Sequence, residues 1–283
     1  RDVAPSRGLG DVYKRQFFTS IHNSGCQAAE SPLVYRDNTY TIDFDDLERK
    51  AADPAVKLML LCNPHNPAGR VWTPAELHRI GELCLRHDVV VVADEIHCEL
   101  VMPGFRYTPF ASLCEEFERR SVTCTSPSKA FNLAGLQVAN IFAADAALRA
   151  RIGHSLQINE TGEIGPFAIE ALIAAYDEGA EWLDALNEYL HGNYRFSREY
   201  FDRNLPQYPV LPLEGTYLVW VDCRASGLTS DELETKLLEE AKLRINPGAI
   251  YGEAGRDFIR LNIACPRKLL AEGLDRLRKV LKR

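Results

Sequence analysis

Two short apolar runs, separated by one helical pattern, predict the organisation of the first half of the chain. Residues 58–62 and 89–93 are continuous apolar runs, typical of strands that are covered on both faces in a parallel sheet. Between them, Thr73, Pro74 and Glu76 form the signature of a capped helix start, and leucine and isoleucine follow at helical spacing. The pattern therefore predicts a β-α-β unit.

The rest of the chain predicts a third strand followed by a mixed α/β region. Residues 121–126 alternate apolar with hydroxyl side chains, which indicates a strand. A helical pattern over residues 181–204 ends before Pro206, because proline cannot continue a helix. The later pattern predicts a strand at 216–221, a helix that opens at Thr229, a strand at 258–263 and a final helix with an apolar stripe at Leu270, Leu274, Leu277 and Leu281.

We expect three segments along the chain. Residues 1–16 contain two glycines, one proline and four basic residues without an apolar period, which predicts a disordered or non-native leader. Residues 17–193 are expected to form a large domain whose N-terminal part is missing, and residues 194–283 a smaller domain. The chain is therefore expected to be a fragment.

Composition and charge exclude several classes of protein. A hydrophobic share of 46% and a charged share of 26% are those of an ordinary globular protein, and the apolar runs are too short to span a bilayer. A net charge of -7, with basic clustering only at the C-terminus, predicts no nucleic-acid partner. Eight cysteines without a Cys-x-x-Cys pair predict no metal site and no disulfide framework. Because no signal-peptide pattern is present, we expect a cytoplasmic protein without a membrane partner.

Polar segments follow each of the three predicted strands. They are Asn-Pro-His-Asn-Pro-Ala-Gly at 63–69, Asp-Glu-Ile-His at 94–97 and Ser-Pro-Ser-Lys at 126–129. Ligands of open α/β sheets gather outside the carboxyl ends of the strands. An amide, a carboxylate and a lysine are therefore predicted to meet at one edge of the sheet.

These segments carry a resemblance to a known family. Together with Ala-Phe-Asn-Leu-Ala-Gly-Leu at 130–136 and Phe-Ile-Arg-Leu-Asn at 258–262, their order resembles the pyridoxal-phosphate enzymes of the aspartate aminotransferase fold. Among these enzymes, the chain is similar to the cystathionine β-lyase-like carbon–sulfur lyases of the MalY/PatB type. The resemblance implies an α/β fold of type I, with a mainly parallel sheet in an incomplete large domain and a smaller α/β domain at the C-terminus. It also implies pyridoxal 5'-phosphate as the cofactor.

The resemblance assigns roles to three residues at the predicted sheet edge. Lys129 matches the lysine that forms the covalent link to the cofactor, which requires an uncharged amine. Asp94 matches the carboxylate that keeps the pyridinium nitrogen protonated, and Asn66 matches the amide that donates to the phenolic oxygen. Taken alone, these residues could be a solvent-facing lysine, an aspartate that caps a turn and an asparagine that shapes one.

Further residues are assigned with alternatives left open. Ser126 and Ser128 match hydroxyls near the cofactor phosphate, although either could be a helix cap. His97 replaces a tyrosine of the aspartate aminotransferases, and it either contacts the cofactor or has a structural role. Arg260 matches the arginine that binds the substrate α-carboxylate, the alternative being a surface ion pair. Gln137 stands where many members of the wider fold carry a phosphate-binding arginine.

The resemblance implies an enzyme that cleaves cystathionine, or another S-conjugate of L-cysteine, to a thiol such as homocysteine, pyruvate and ammonia. Lys129 would remove the Cα proton while Asp94 stabilises the resulting charge. An aminotransferase that uses the same two residues is the first alternative. The implied partners are a small amino-acid substrate and a second copy of the chain, in a homodimer with shared active sites.

Two distant alternatives complete the set. The Asp-Glu-Ile-His segment also resembles the DExH box of ATPases, but the chain has no GxxxxGK[ST] segment and offers no basic groove. The other alternative is an inactive fragment that only binds a partner. Because the family's dimer interface and phosphate loop draw on a segment that is not matched here, we expect the chain by itself to lack lyase turnover.

Overall fold

Residues 13–282 are described by a computed structural model, with side chains from Phe17 onward. Their α-helices are α1 (Tyr13–Asn23), α2 (Phe44–Ala51), α3 (Pro74–Arg86), α4 (Glu115–Arg119), α5 (Ala146–Ile158), α6 (Pro166–Glu178), α7 (Ala180–Asn204), α8 (Ser230–Ala241) and α9 (Arg267–Leu281). Their strands are β1 (Val34–Arg36), β2 (Thr39–Thr41), β3 (Leu58–Cys62), β4 (Val90–Asp94), β5 (Ser121–Thr125), β6 (Asn140–Phe142), β7 (Leu218–Asp222), β8 (Asn246–Pro247) and β9 (Phe258–Asn262). In this part of the chain, no helix has both the length and the apolar character needed to cross a bilayer.

The expected end of the leader falls inside a helix. Because α1 begins at Tyr13, the predicted boundary between residues 16 and 17 lies within this helix. Residues 1–12 lie outside the described part of the chain. The leader itself therefore stays a prediction.

The larger sheet has four strands in the order β3-β4-β5-β6. The β3–β4 and β4–β5 pairs are parallel, whereas β6 runs antiparallel to β5. The register aligns Cys62, Asp94 and Cys124 across the three parallel strands. The segments that follow these residues therefore leave the sheet at one edge, and the predicted β-α-β unit and mainly parallel sheet are confirmed.

The residues that predicted the start of α3 also fix it in the structure. Thr73 Oγ1 accepts a hydrogen bond from the backbone N–H of Glu76 at 3.2 Å, and Glu76 Oε2 accepts one from the backbone N–H of Thr73 at 2.8 Å. Such a cap satisfies two N–H groups that lack a partner within the helix and contributes about 1 kcal/mol. From this start, Leu77 and Ile80 point into the core that lies against the sheet.

Burial in the larger sheet differs between its centre and its outer strands. Val91 and Ala93 of β4 are buried, and Phe110 and Phe117 pack in the same core. Leu58, at the start of β3, is 50% exposed. The expectation that the apolar runs are covered on both faces is wrong at this residue, because β3 is the outer strand of the described sheet and has a neighbour on one side only.

The smaller sheet is antiparallel, with the order β7-β9-β8. All five residues of β7 are buried, and α7, α8 and α9 contribute Leu190, Leu233 and Leu274 to the core that covers this sheet. The strands and helices predicted for this region are confirmed, with ends that differ by at most two residues. The division predicted between residues 193 and 194 falls inside α7 and stays a prediction.

A close contact between two loops joins the sheets. The backbone N–H groups of Glu214 and Gly215 donate to the carbonyl oxygen of Gly69 at 2.8 and 3.0 Å. Gly69 has a φ of +70°, which favours glycine, and a Cβ at Gly215 would lie 2.9 Å from Cβ of Pro64. The two glycines therefore allow the loop before β7 to lie against the Asn-Pro loop, which brings β9 beside the carboxyl edge of the larger sheet.

Candidate active site

The carboxyl edge of the larger sheet lines a cavity that contains residues singled out by the sequence. Its walls are formed by Phe17, Cys62, Pro64, Asn66, Asp94, Ile96 and His97. Lys129 and Arg260 both act electrostatically on His97, and Arg260 donates a hydrogen bond to Asn66. The structure thus brings these predicted residues together between the two sheets.

Asp94 ends β4 between two strands that each carry a cysteine at the same level. Asp94 Oδ1 accepts a hydrogen bond from the backbone N–H of Ile96 at 3.3 Å, and Oδ2 accepts one from Sγ of Cys62 at 3.9 Å. Burial, with the charge of Asp94 contributing, raises the pKa of the Cys124 thiol to about 11, so this thiol is protonated at neutral pH. A carboxylate held in this way suits pairing with a protonated ring nitrogen.

Lys129 lies in the turn after β5 and is half-buried. Burial lowers the pKa of its amine, the charge of Arg260 lowers it further, and the charge of Asp94 opposes the shift. A lower pKa increases the fraction of uncharged, nucleophilic amine near neutral pH. This environment argues against the alternative of a solvent-facing lysine.

Arg260 is buried, with only 3% of its surface exposed, although its strand position alternates with the apolar residues of β9. Its Nη1 donates to Oδ1 of Asn66 and its Nη2 to Oδ1 of Asn246, both at 3.1 Å. Its guanidinium carbon lies 5.1 Å from the centre of the Tyr251 ring. The alternative of a surface ion pair is therefore wrong, and the guanidinium is held beside the residues of the sheet edge.

Asn66 links the two sides of the site. Its side-chain oxygen accepts the hydrogen bond from Arg260, and the residue is 7% exposed. With the oxygen used in this way, the amide nitrogen is the donor that it can offer to a ligand oxygen. The asparagine therefore does more than shape a turn.

The two serines have different surroundings. Ser126 Oγ donates to the carbonyl oxygen of Val138 at 2.7 Å and accepts from the backbone N–H of Ser128 at 3.1 Å. Ser128 Oγ is buried and has no hydrogen-bond partner among the described residues. Ser126 thus fits the capping alternative, whereas Ser128 has a hydroxyl that an anion could use.

His97 is buried beside both basic residues of the site. Burial lowers the pKa of its imidazole to about 3, and the charges of Lys129 and Arg260 contribute. Its ring packs edge-on against Tyr217, with the ring centres 5.7 Å apart, and its Nδ1 is buried without a hydrogen-bond partner in the described structure. His97 is therefore neutral at physiological pH and could offer a ligand a hydrogen bond but no positive charge.

Sequence reasoning missed the residues that fix the loop after β4. Glu95 is 1% exposed and accepts hydrogen bonds from the hydroxyl of Tyr107 and, at 2.9 Å, from the backbone N–H of Phe110. Asn63 donates to the carbonyl oxygen of Thr108 at 3.1 Å. The signals were a second carboxylate next to Asp94 and an asparagine at the start of the Asn-Pro segment, but neither motif indicates its partner.

The residues present fit pyridoxal phosphate. Lys129 offers an amine, Asp94 an acceptor for a protonated ring nitrogen, Asn66 a donor for an oxyanion and Ser128 a buried hydroxyl for a phosphate oxygen. Within residues 13–282, no group of three or more histidine, cysteine or acidic side chains is arranged to hold a metal ion.

This fold and this set of residues define a class of protein. The chain belongs to the aminotransferase class I and II family, whose sequence profile matches residues 16–277. It is similar to cystathionine beta-lyase PatB of Bacillus subtilis (strain 168), with 43% identity over 265 residues, 94% of this chain and 68% of that protein. Protein MalY of Escherichia coli (strain K12) is 37% identical over 265 residues, 91% of this chain and 66% of that protein. The chain thus spans about two thirds of the length of these relatives.

The chain is also similar to solved structures of enzymes that contain pyridoxal phosphate. Cystalysin from Treponema denticola, which contains pyridoxal 5'-phosphate, has a TM-score of 0.92 and 36% identity, covering 96% of this chain and 69% of that one. The PLP-bound C-S lyase from Staphylococcus hominis has a TM-score of 0.88 and 31% identity, covering 94% of this chain and 68% of that one. The fold predicted from the resemblance is therefore confirmed.

Proposed function

We propose that the protein is a pyridoxal-phosphate-dependent carbon–sulfur β-lyase that cleaves cystathionine or another S-conjugate of L-cysteine. The reaction consumes water and yields a thiol, pyruvate and ammonia; from cystathionine, the thiol is homocysteine. The observation that carries this proposal is the placement of Lys129, Asp94 and the Arg260–Asn66 pair around one sheet edge, in a chain 43% identical to a cystathionine β-lyase.

Each residue of the site is proposed to have a separate role in the reaction. When bound, pyridoxal phosphate supplies an electron-accepting ring that stabilises negative charge at the substrate Cα. Asp94 would keep a proton on the ring nitrogen, Asn66 would donate to the phenolic oxygen, and Ser128 would bind the phosphate. Lys129 would hold the cofactor covalently in the absence of substrate, and as a free amine it would take the proton from Cα. Arg260 would bind the α-carboxylate and thereby orient the substrate so that its Cα–H bond faces Lys129; loss of that proton allows the thiolate to leave from Cβ.

The lowered pKa of Lys129 suits this role. An amine that removes a proton must be uncharged, and burial together with Arg260 favours that form. Asp94 acts in the opposite direction on the same pKa, which keeps the amine able to carry a proton once it has taken one. Burial and Arg260 thus favour the uncharged amine that accepts a proton, and Asp94 favours the charged amine that has accepted one.

We further propose a cytoplasmic homodimer with shared active sites, built from the predicted large and small domains. Support for an interface comes from apolar side chains that are exposed near and on α6 and α7, among them Phe167 at 78%, Ile169 at 50% and Trp182 at 55%. All eight cysteines are free thiols, which fits a reducing compartment. Light scattering after size-exclusion chromatography would measure the mass, and a monomer at micromolar concentration would contradict the dimer.

An assay without any keto acid tests the reaction type. The complete gene product, loaded with pyridoxal phosphate and given L-cystathionine, is expected to release pyruvate and a free thiol in equal amounts. Lys129→Ala is the control, because it keeps the rest of the site and lacks the amine. Consumption of L-cystathionine that requires an added keto acid and releases no thiol, or conversion of the cofactor to its amine form, would instead indicate an aminotransferase.

A further inference from the structure

A row of three side chains crosses the smaller sheet at the level of the arginine. The antiparallel registers pair Trp220 of β7 with Arg260 of β9, and Asn246 of β8 with the same arginine. Directly paired residues of antiparallel strands present their side chains on the same face of the sheet. Arg260 therefore lies between an indole ring and an amide on the face that meets the active site.

The two amides hold the two ends of the guanidinium. Asn246 accepts from Nη2 and Asn66 accepts from Nη1, both at 3.1 Å, although these asparagines belong to different parts of the fold. Two bonds to opposite nitrogens fix the rotation of the guanidinium plane as well as its position. Because a carboxylate is bound by two parallel N–H groups, the orientation of this plane decides whether it can be bound at all.

An aromatic ring covers one face of the Arg260 guanidinium and restricts its movement out of its own plane. The guanidinium carbon of Arg260 lies 5.1 Å from the centre of the Tyr251 ring. This ring packs edge-on against Trp220, with centres 5.6 Å apart, and Trp220 stacks on Phe258 with an angle of 2° between the rings. The tyrosine is thus braced by the same row of residues that presents the arginine.

The turn that carries Tyr251 has little room to move. A Cβ at Gly248 would lie 2.0 Å from the carbonyl oxygen of Gly255, so the two backbone segments are in direct contact. Residues 248–251 form a 3-10 turn immediately after β8, and the backbone of Gly252 has a φ of +113°. Asn246 and Tyr251 are therefore presented to Arg260 by one short, closely packed segment.

We propose that Asn246 and Tyr251 are positioning residues that pre-orient Arg260 for the α-carboxylate of the substrate. This rests on the proposed function, in which Arg260 binds that carboxylate. A long side chain loses rotamer freedom when it binds a ligand, and a cradle formed in advance removes this cost from the binding step. The two residues act through Arg260 and do not contact the substrate.

Isosteric and conservative variants of the complete, cofactor-loaded gene product test the proposal. Asn246→Leu removes the acceptor at nearly constant volume, and Tyr251→Leu removes the ring, while Tyr251→Phe keeps it. We expect each leucine variant to raise KM for L-cystathionine and the calorimetric Kd for propionate by about tenfold, with a smaller change in kcat. Propionate serves as the probe because it has a carboxylate and no amine. Tyr251→Phe should recover most of the affinity that Tyr251→Leu loses.

Two further variants distinguish an error in the proposed carboxylate site from an error in the proposed positioning role. Tyr200→Leu removes a tyrosine of α7 whose hydroxyl donates a hydrogen bond to Asp275 of α9. It should leave the Kd for propionate unchanged even if it lowers the melting temperature. Arg260→Leu should abolish propionate binding. If Arg260→Leu has no effect, the proposed carboxylate site is wrong. If Arg260→Leu abolishes binding while both Asn246→Leu and Tyr251→Leu bind propionate normally, Arg260 is the site and the positioning proposal is overturned.

Discussion

The edge of the larger sheet and the face of the smaller sheet contribute to the same site in different ways. At the edge, Asp94 lies at the end of a strand and Lys129 in a turn, both remain partly exposed, and the charge of Asp94 acts on the pKa of Lys129. On the face, Arg260 is 3% exposed and lies within a strand, between a cross-strand asparagine and an aromatic ring. The edge therefore suits groups that react and exchange protons, whereas the face suits a group that must keep one orientation.

This difference has a physical origin. A side chain in a turn at the end of a parallel strand can approach a ligand from outside the sheet, which is where such folds bind ligands. A side chain in the middle of an antiparallel strand is surrounded by its cross-strand neighbours, which restrict its rotamers. Substitutions at the edge should therefore change the chemical step, and substitutions on the face should change binding.

The largest effect is expected at the edge. Lys129→Ala removes both the covalent anchor and the group that takes the Cα proton, so kcat for L-cystathionine should fall by about 10²–10⁴-fold or more. Steady-state release of pyruvate measures this effect. Lys279→Ala, which changes an exposed lysine in the last turn of α9, is the matched control and should leave kcat unchanged. Normal turnover by the Lys129→Ala variant would contradict the prediction that residues at the sheet edge carry out the chemical step.

On the face, Arg260→Lys keeps the charge and loses the planar fork. Hydrogen bonds to charged groups contribute about 1.5–3 kcal/mol, so kcat/KM should fall about tenfold or more while the absorbance of the bound cofactor is unchanged. Arg119→Lys, at an exposed position of α4, provides the control. Unchanged kinetics of Arg260→Lys would show that the face does not bind substrate through two parallel hydrogen bonds.

The pH dependence of stability tests the burial of His97 between the two regions. Its pKa is about 3 in the folded protein, whereas the ordinary value of 6.5 applies to the unfolded chain, so below pH 6.5 the unfolded chain takes up a proton that the folded protein does not. Stability should therefore fall as the pH falls, by about 1.6 kcal/mol between pH 6.5 and pH 5 from this group. Urea unfolding at both pH values measures the slope.

The matched variants for this slope are two histidine substitutions. His97→Gln should make the loss of stability between pH 6.5 and pH 5 smaller, whereas His154→Gln, at an exposed position of α5, should leave it as in the parent protein. An identical slope in the parent protein and in His97→Gln would mean that His97 is not held neutral in the folded state.

The smallest effect is expected at the two serines of the sheet edge. They differ because Ser126 Oγ is hydrogen-bonded within the protein, whereas Ser128 Oγ has no partner among the described residues. Ser128→Ala should weaken pyridoxal-phosphate binding by about tenfold, the lower end for a hydrogen bond to a charged group, without lowering the stability of the cofactor-free protein. Ser126→Ala should instead lower that stability by about 1–2 kcal/mol, because Val138 O and the backbone N–H of Ser128 lose their partner. Equal effects of both substitutions on both measurements would contradict this division.

The placement of the edge residues could be predicted from the sequence because they stand in contiguous motifs. Asn66, Asp94 and Lys129 each follow a predicted strand within a few residues, and parallel strands bring such segments to one side of a sheet. The distinction between Ser126 and Ser128 could not be predicted, because it depends on Val138, twelve residues along the chain.

The surroundings of the face could not be predicted for a similar reason. Arg260 was found from its motif, but its pairing with Asn246 depends on β8, a strand of two residues with no apolar pattern of its own. The contact with Asn66 spans 194 residues. Such contacts depend on how the two sheets pack, which local hydrophobic periodicity does not specify.

Labelling of the cofactor-loaded gene product tests the account most directly. Borohydride reduction should fix the cofactor irreversibly to its lysine, and peptide mass mapping should place the pyridoxyl group on Lys129, in the segment that runs from Ser126 to Leu136. Lys129→Ala should remove the label, and Lys279→Ala should retain it. A label on any other lysine, or persistent labelling of Lys129→Ala, would contradict the assignment of the sheet edge as the cofactor site.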